Sequence, residues 1–166
     1  HAMIISDHGL ESLGVVDRVR SILTEAGIQV DAFLDVLPNP TVEMVHAAAD
    51  AYHTCGATCI VALGGGSPMD VAKAAAVLAR YGGSITEYEG ASKVPGAVEP
   101  IIAIPTTAGT GSEVTPFAVI TDETTGVKYP LADYELLPNM AIIDTDLMMS
   151  APKGLTSASG IDAMTH

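Results

Sequence analysis

Positive charge is what this sequence has least of. Seven lysines and arginines stand against 20 aspartates and glutamates in 166 residues, a formal net charge of −13. A surface of that sign repels phosphate backbones and anionic lipid, so nucleic acid and membrane are not expected as partners. A small polyanion is a different matter, because main-chain amides at a helix N-terminus can hold one locally. Cysteine is nearly absent too. Cys55 and Cys59 cannot make a disulfide framework, and their C-x3-C spacing is not the C-x2-C of redox or zinc motifs. Both read as buried small hydrophobes, one closing a helix and one entering a strand. Long apolar runs are missing: each is broken by Gly, Pro or Asp, and none approaches the roughly 20 residues of a membrane span. No basic stretch followed by an apolar one opens the chain as a secretory signal would. The expectation is a cytoplasmic protein.

What is present is enough apolar material for a core, 48% of residues, in a length suited to one ordinary domain. Short β-rich runs alternate with helical stretches. "AMIIS" (2–6) reads as a strand, residues 10–26 as a helix with apolar positions at helical spacing, and "IQVDAFL" (28–34) as a second strand. A helix is expected from about Thr41 to Cys55, then "TCIVAL" (58–63), a continuous apolar run of the kind buried on both faces of a parallel sheet. "GGGS" leads into a helix over 68–80. Residues 81–100 read as a long surface connection, followed by strands at 101–105, 117–122 and 140–144. This alternation predicts an α/β fold: a doubly wound Rossmann-like parallel sheet, with a β-hairpin-like excursion near 117–131. In such sheets ligands sit beyond the carboxyl ends of the strands.

Two informative loops fall at those ends. In "ALGGGSPMDVAK", Ser67 is placed to cap the helix, Pro68 suits its first position, and Asp70 stands close to a capping box. Glycines 64–66 let main chain approach a ligand closely, and the amides of the helix start can hold a pyrophosphate. The turn is not a G-x-G-x-x-G fingerprint, so a plain strand-to-helix turn stands beside a nucleotide site as a reading. The second loop, "IPTTAGTGSEVT", offers hydroxyls at Thr106, Thr107, Thr110, Ser112 and Thr115. Neutral donors of this density are a sensible way to bind phosphate in an acidic protein.

The segments "PNPT" (38–41), "GGGSPMDVAK" (64–73), "PTTAGTGSEVTPFAVITD" (105–122), "KYPLADYELLPNMAIIDTDL" (128–147) and "GIDAMTH" (160–166) resemble the iron-containing (group III) alcohol dehydrogenases. They span nearly the whole chain in the family's order. The stretch 109–146 looks especially like the alcohol dehydrogenase half of bifunctional aldehyde/alcohol dehydrogenases.

The resemblance implies NAD as cofactor and a divalent ion, Fe2+ or Zn2+. It places Asp7 at the adenosine ribose hydroxyls, where a carboxylate favours NAD over NADP. Asn39, Gly65, Gly66 and Ser67 would line the phosphates, and Asp70 would lie near the nicotinamide end. Thr106, Thr107 and Thr110 would contact the cofactor, Val119 would pack by the nicotinamide, and Lys128 would bring a rare positive charge. Asp162 and His166, four apart, would be two of four metal ligands, the others being histidines of an all-helical C-terminal domain. By spacing alone D-x3-H is weak; its place in the family's order carries it. His46 and His53 read as ordinary helix residues, and His1 is given no role.

On this reading residues 1–150 are an NAD-binding α/β domain without the family's β-rich preamble, and 151–166 open a helical metal-binding domain. The implied activity is hydride transfer between a small or primary alcohol and NAD, with alcohol and aldehyde as partners, a homo-oligomer as the assembly, and doubtful activity for this stretch alone. Two rivals stand beside it: a relative of glycerol dehydrogenase or dehydroquinate synthase, and an NAD-binding module without catalysis.

Overall fold

The computed structural model describes residues 1–149 and 151–165. Five parallel strands form the main sheet, in the order β2-β1-β3-β5-β8. They are β1 (Ala2–Ile5), β2 (Val30–Phe33), β3 (Cys59–Gly64), β5 (Ile101–Pro105) and β8 (Met140–Ala141). Ala2 pairs with Val30 on one side and Cys59 on the other, and Ile60 pairs with Ile101. The strand order reverses between β1 and β3, which opens a crevice at their carboxyl ends.

Side chains alternate across β1 and β3, and both faces are covered. Met3, Ile5, Ile60 and Ala62 face one core, shared with α3 (Val42–Cys55) and α4 (Gly66–Tyr81). Ala2, Ile4, Val61 and Leu63 face the other, against Val15, Val16 and Val19 of α2 (Val15–Glu25) and against Leu147. A strand buried on both sides has no polar position to offer, which is why these strands read as unbroken apolar runs.

A second sheet has the order β4-β7-β6: β4 (Gly90–Ala91), β7 (Val127–Ala132) and β6 (Phe117–Asp122). The expected hairpin is the antiparallel β6/β7 pair, in which Ala118, Ile120, Tyr129 and Leu131 turn inward. It packs against α4. That helix is therefore enclosed by α3, the main sheet and the hairpin, and its residues 68–78 are buried apart from the half-buried Asp70. Alanine at 72, 74, 75 and 76 lets three neighbours come close at once. A final helix, α5 (Lys153–Thr165), lies over the loop after β5: a Cβ at Gly109 would sit 2.3 Å from the Ser159 carbonyl oxygen.

Three expectations are corrected. The helix over 10–26 is two: α1 (His8–Ser12) and α2, separated by Gly14 in the left-handed conformation. The stretch 81–100 is more than a surface connection, since it carries β4 and a 3-10 turn whose Ile85 and Tyr88 are buried. The cysteines are half-buried rather than buried. Among the described residues no helix is long and apolar enough to cross a membrane.

Candidate functional site

The crevice at the switch point is a cavity of about 620 Å3. Asp7 follows β1 on its floor, Gly65, Gly66 and Ser67 follow β3, and Thr106, Thr107 and Thr110 follow β5. Local chemistry holds each loop. The Asp7 carboxylate accepts from the Leu10 amide at 2.9 Å and so caps α1. Gly64 has φ of +148°, and a Cβ there would meet Pro68 Cγ at 2.6 Å, so no other residue makes this turn without displacement. A Cβ on Gly65 would lie 3.2 Å from Thr107 Oγ1, and one on Gly66 3.2 Å from Thr110 Cγ2. The glycine turn and the threonine loop are thus two walls of one narrow cradle. Its remaining walls are largely apolar, formed by Leu10, Leu13, Leu37, Leu147 and Leu155.

Helix α4 starts earlier than the sequence suggests. Its cap is Gly65, with no side-chain cap bond, so Ser67 is not the cap and Asp70 is not part of a capping box. The start of this 16-residue helix, Gly66 and Ser67, lines the cavity with no side chain capping it, and an uncapped helix start is the arrangement that suits phosphate.

A smaller cavity of about 190 Å3 adjoins the first and shares Gly66 and Ser67 with it. Asn39, Asp70, Val119 and Lys128 line it. The hairpin reaches this place because the Thr121 amide donates to the Pro40 carbonyl at 2.7 Å, pinning β6 to the loop before α3. Lys128 Nζ donates to Asn39 Oδ1 at 2.5 Å, and Asn39 itself is left-handed, with φ of +61°. Thr121 also lines the cavity, and its buried Oγ1 has no hydrogen-bond partner.

Behind Asp70 lies a buried polar network. Lys73, fully enclosed, donates to Ser112 Oγ at 3.0 Å, to the Thr115 carbonyl at 2.8 Å and to the Phe117 carbonyl at 2.7 Å. Ser112 Oγ in turn donates to Asp70 Oδ1 at 3.1 Å, and the Val119 amide donates to Asp70 Oδ2 at 3.2 Å. Burial pushes the Asp70 carboxyl up to about 6, against the opposing pull of the Val119 amide and Lys73. Burial likewise brings the Lys73 ammonium down to about 8, with Asp70 and Glu113 resisting. In each case burial opposes the charge, while the partner's charge and directed hydrogen bonds support it.

The family model described as iron-containing alcohol dehydrogenase matches residues 1–145. The chain belongs to the iron-containing alcohol dehydrogenase family. It is 43% identical over 178 residues to the bifunctional aldehyde-alcohol dehydrogenase AdhE of Escherichia coli K12, covering 99% of this chain and 20% of that protein. A solved 1,3-propanediol oxidoreductase superposes with a TM-score of 0.96 at 39% identity, over 99% of this chain and 43% of that one. A sulfoacetaldehyde reductase from Bifidobacterium kashiwanohense, solved in complex with NAD+, gives 0.86 at 36% identity, over 97% and 43%. The chain therefore spans less than half the length of these relatives.

In this family member, all eleven cofactor positions named from the sequence line one or other of the two adjoining cavities. Glycines whose Cβ atoms would crowd the opposite wall, together with uncapped helix amides, suit a dinucleotide pyrophosphate. Asp162 lies on α5, half-buried. His166 falls outside the described residues. His46 is half-buried and His53 exposed on α3, neither near the cavities. Sequence reasoning did not single out Lys73 or Thr121. A lysine among alanines on a helix looks like a surface residue, and only the crowding of α4 from every side shows otherwise.

Proposed function

We propose that this chain is the cofactor half of a metal-dependent, NAD-linked alcohol dehydrogenase, interconverting a small alcohol and its aldehyde. The observation that carries the reading is the convergence of Asp7, the glycine turn, the threonine loop and Lys128 on two connected cavities at the sheet's switch point. The domain division goes with it: residues 1–150 hold the cofactor, and 151–166 begin the helical metal domain. Exposed apolar side chains at Ile161 and Met164 on α5 support that division, since they suit a helix with more protein to pack against.

The residues act by position. Gly65, Gly66 and Ser67 present main-chain amides to the pyrophosphate, and Thr106, Thr107 and Thr110 add neutral donors across the cradle. Asp7, with one oxygen on the Leu10 amide, meets the adenosine ribose and disfavours a 2′-phosphate. Lys128 and Asn39 bracket the other end, where Val119 gives the nicotinamide an apolar wall and Asp70 fixes that wall through the Val119 amide. Asp162 and His166 offer a carboxylate oxygen and an imidazole, a donor set suited to Fe2+ or Zn2+ that ligands from the rest of the enzyme would complete. When bound, the ion supplies Lewis acidity for the substrate oxygen and NAD supplies the hydride acceptor.

The test is NADH titration by fluorescence with this chain and with Gly66→Val. Saturable binding, weakened at least about tenfold in the variant, is the expected result, because a branched side chain would displace Thr110 and fill the cradle. Binding that ignores the substitution would sink the reading. In the full-length enzyme, Asp162→Ala is expected to abolish metal retention and turnover.

A further inference from the structure

At the opposite, amino-terminal end of the sheet a second group of chemistry-bearing side chains converges. His1 precedes β1, Asp31 lies in β2, and Cys55 ends α3. The register places Asp31 beside Met3, on the sheet face that packs against α3, and His1 shares that face by alternation. One ligand atom from each of His1, Asp31 and Cys55 lies within 4.8 Å of the other two, the one such group of three among the described residues. His1 Nε2 is already 2.7 Å from Asp31 Oδ2, and the His1 side chain is only 12% exposed. Cys55 Sγ donates to the Tyr52 carbonyl at 3.4 Å.

We propose that His1, Asp31 and Cys55 form a Zn2+ site, distinct from the cofactor cavities, that ties β1, β2 and the end of α3 together. Ligands of a tetrahedral zinc ion lie about 2.0–2.3 Å from the metal, so they stand roughly 3–4 Å from one another. Reaching that spacing means opening the His1–Asp31 hydrogen bond by about 1 Å and drawing Cys55 in. Thiolate, imidazole and carboxylate together are a borderline set that favours Zn2+ over Mg2+ or Ca2+. The metal takes the thiolate, the thiol proton leaves to solvent, and water fills the fourth position beside the half-exposed Asp31. The site also sits at the C-terminal end of α3, where the helix dipole favours a cation.

Cobalt titration followed by zinc competition tests this, because only a cysteine ligand gives a thiolate-to-cobalt charge-transfer band. The expected result is a band saturating at one equivalent and removed by Zn2+, with Zn2+ also raising the melting temperature. Cys55→Ser should abolish the band and Cys59→Ser should leave it. His1→Ala and Asp31→Asn should each weaken binding by at least the roughly 10- to 100-fold seen for loss of a supporting partner. Circular dichroism would verify that each variant folds. Absence of the band overturns the proposal, as does a band that survives Cys55→Ser or is indifferent to His1→Ala and Asp31→Asn. Binding through the His1 ring without Cys55, or at Asp162 and His166, would show no thiolate band and also overturns it.

Discussion

Replacing Lys73 by methionine keeps the length of the side chain and removes its charge and donors. Three acceptors then lose their partner: Ser112 Oγ, the Thr115 carbonyl and the Phe117 carbonyl. Each costs about 1–3 kcal/mol when left unsatisfied in a buried place. The same change leaves the mostly buried Asp70 carboxylate without its cation, and breaking a buried pair from one side costs about 3–5 kcal/mol. The two descriptions overlap and do not add, so we expect Lys73→Met to destabilise the chain by about 3–5 kcal/mol. Against a total stability of about 5–15 kcal/mol, that is a large fraction. Urea unfolding at pH 7, followed by circular dichroism, measures it. Asp70→Asn in the Lys73→Met background removes the orphaned charge. The double variant should therefore cost less than the sum of the singles by at least about 1 kcal/mol. A single-variant loss below about 1 kcal/mol, or simple additivity, would refute the view that Lys73 and Asp70 are one unit.

Two further predictions concern charge. Asp70 has its folded pKa raised from 3.8 to about 6, so the folded state holds this proton more tightly than the unfolded chain does. Its contribution to stability is fully present below about pH 4 and is lost as pH rises through about 6; Asp70→Asn should remove that downward slope from stability measured between pH 4 and 6. Asp7→Asn keeps the cap on the Leu10 amide but deletes the negative charge facing the cavity, so NADPH should gain on NADH by about fivefold, the equivalent of about 1 kcal/mol for one charge pair at about 4 Å in water. Fluorescence titration with both cofactors measures the ratio, and an unchanged ratio would mean that Asp7 does not face the ribose.

Much of the fold was legible because the strands of a doubly wound sheet must be apolar on both faces. β1, β3 and β5 are therefore continuous runs in the sequence, and Gly27 and Gly56 end the helices before β2 and β3. What was not legible depends on contacts between distant segments. The break at Gly14 is hidden because apolar spacing continues across it from Leu13 to Val16. The burial of Ile85 and Tyr88 depends on a cleft that exists only once α3 and α4 have packed. At the site, the glycine turn alone read equally as a phosphate site or a plain turn, and the hydroxyl-rich loop tipped it toward a phosphate ligand. The family's motifs put residues in roles, and the geometry shows them gathered. Lys73 lacked any local signal. The grouping of His1 with Asp31 and Cys55 carries no local signal, because those residues lie 30 and 54 positions away in sequence.

The distribution of charge bears on how an acidic chain could hold a dinucleotide. With a net charge of −13, the long-range field repels a phosphate ligand, so attraction has to be short-ranged. The cradle answers with main-chain amides and threonine hydroxyls, which lose nothing to the surrounding carboxylates because they act by contact. The one carboxylate deep in the site, Asp70, is matched by the one lysine deep in the core, and their charges compensate locally. That leaves Lys128, already held against Asn39 at the cavity edge, as the uncompensated positive charge that a phosphate or ribose oxygen would meet. An acidic exterior and the proposed dinucleotide crevice are then compatible: the first repels polyanions that stay in solvent, while the second would bind a ligand small enough to reach the amides at the start of α4.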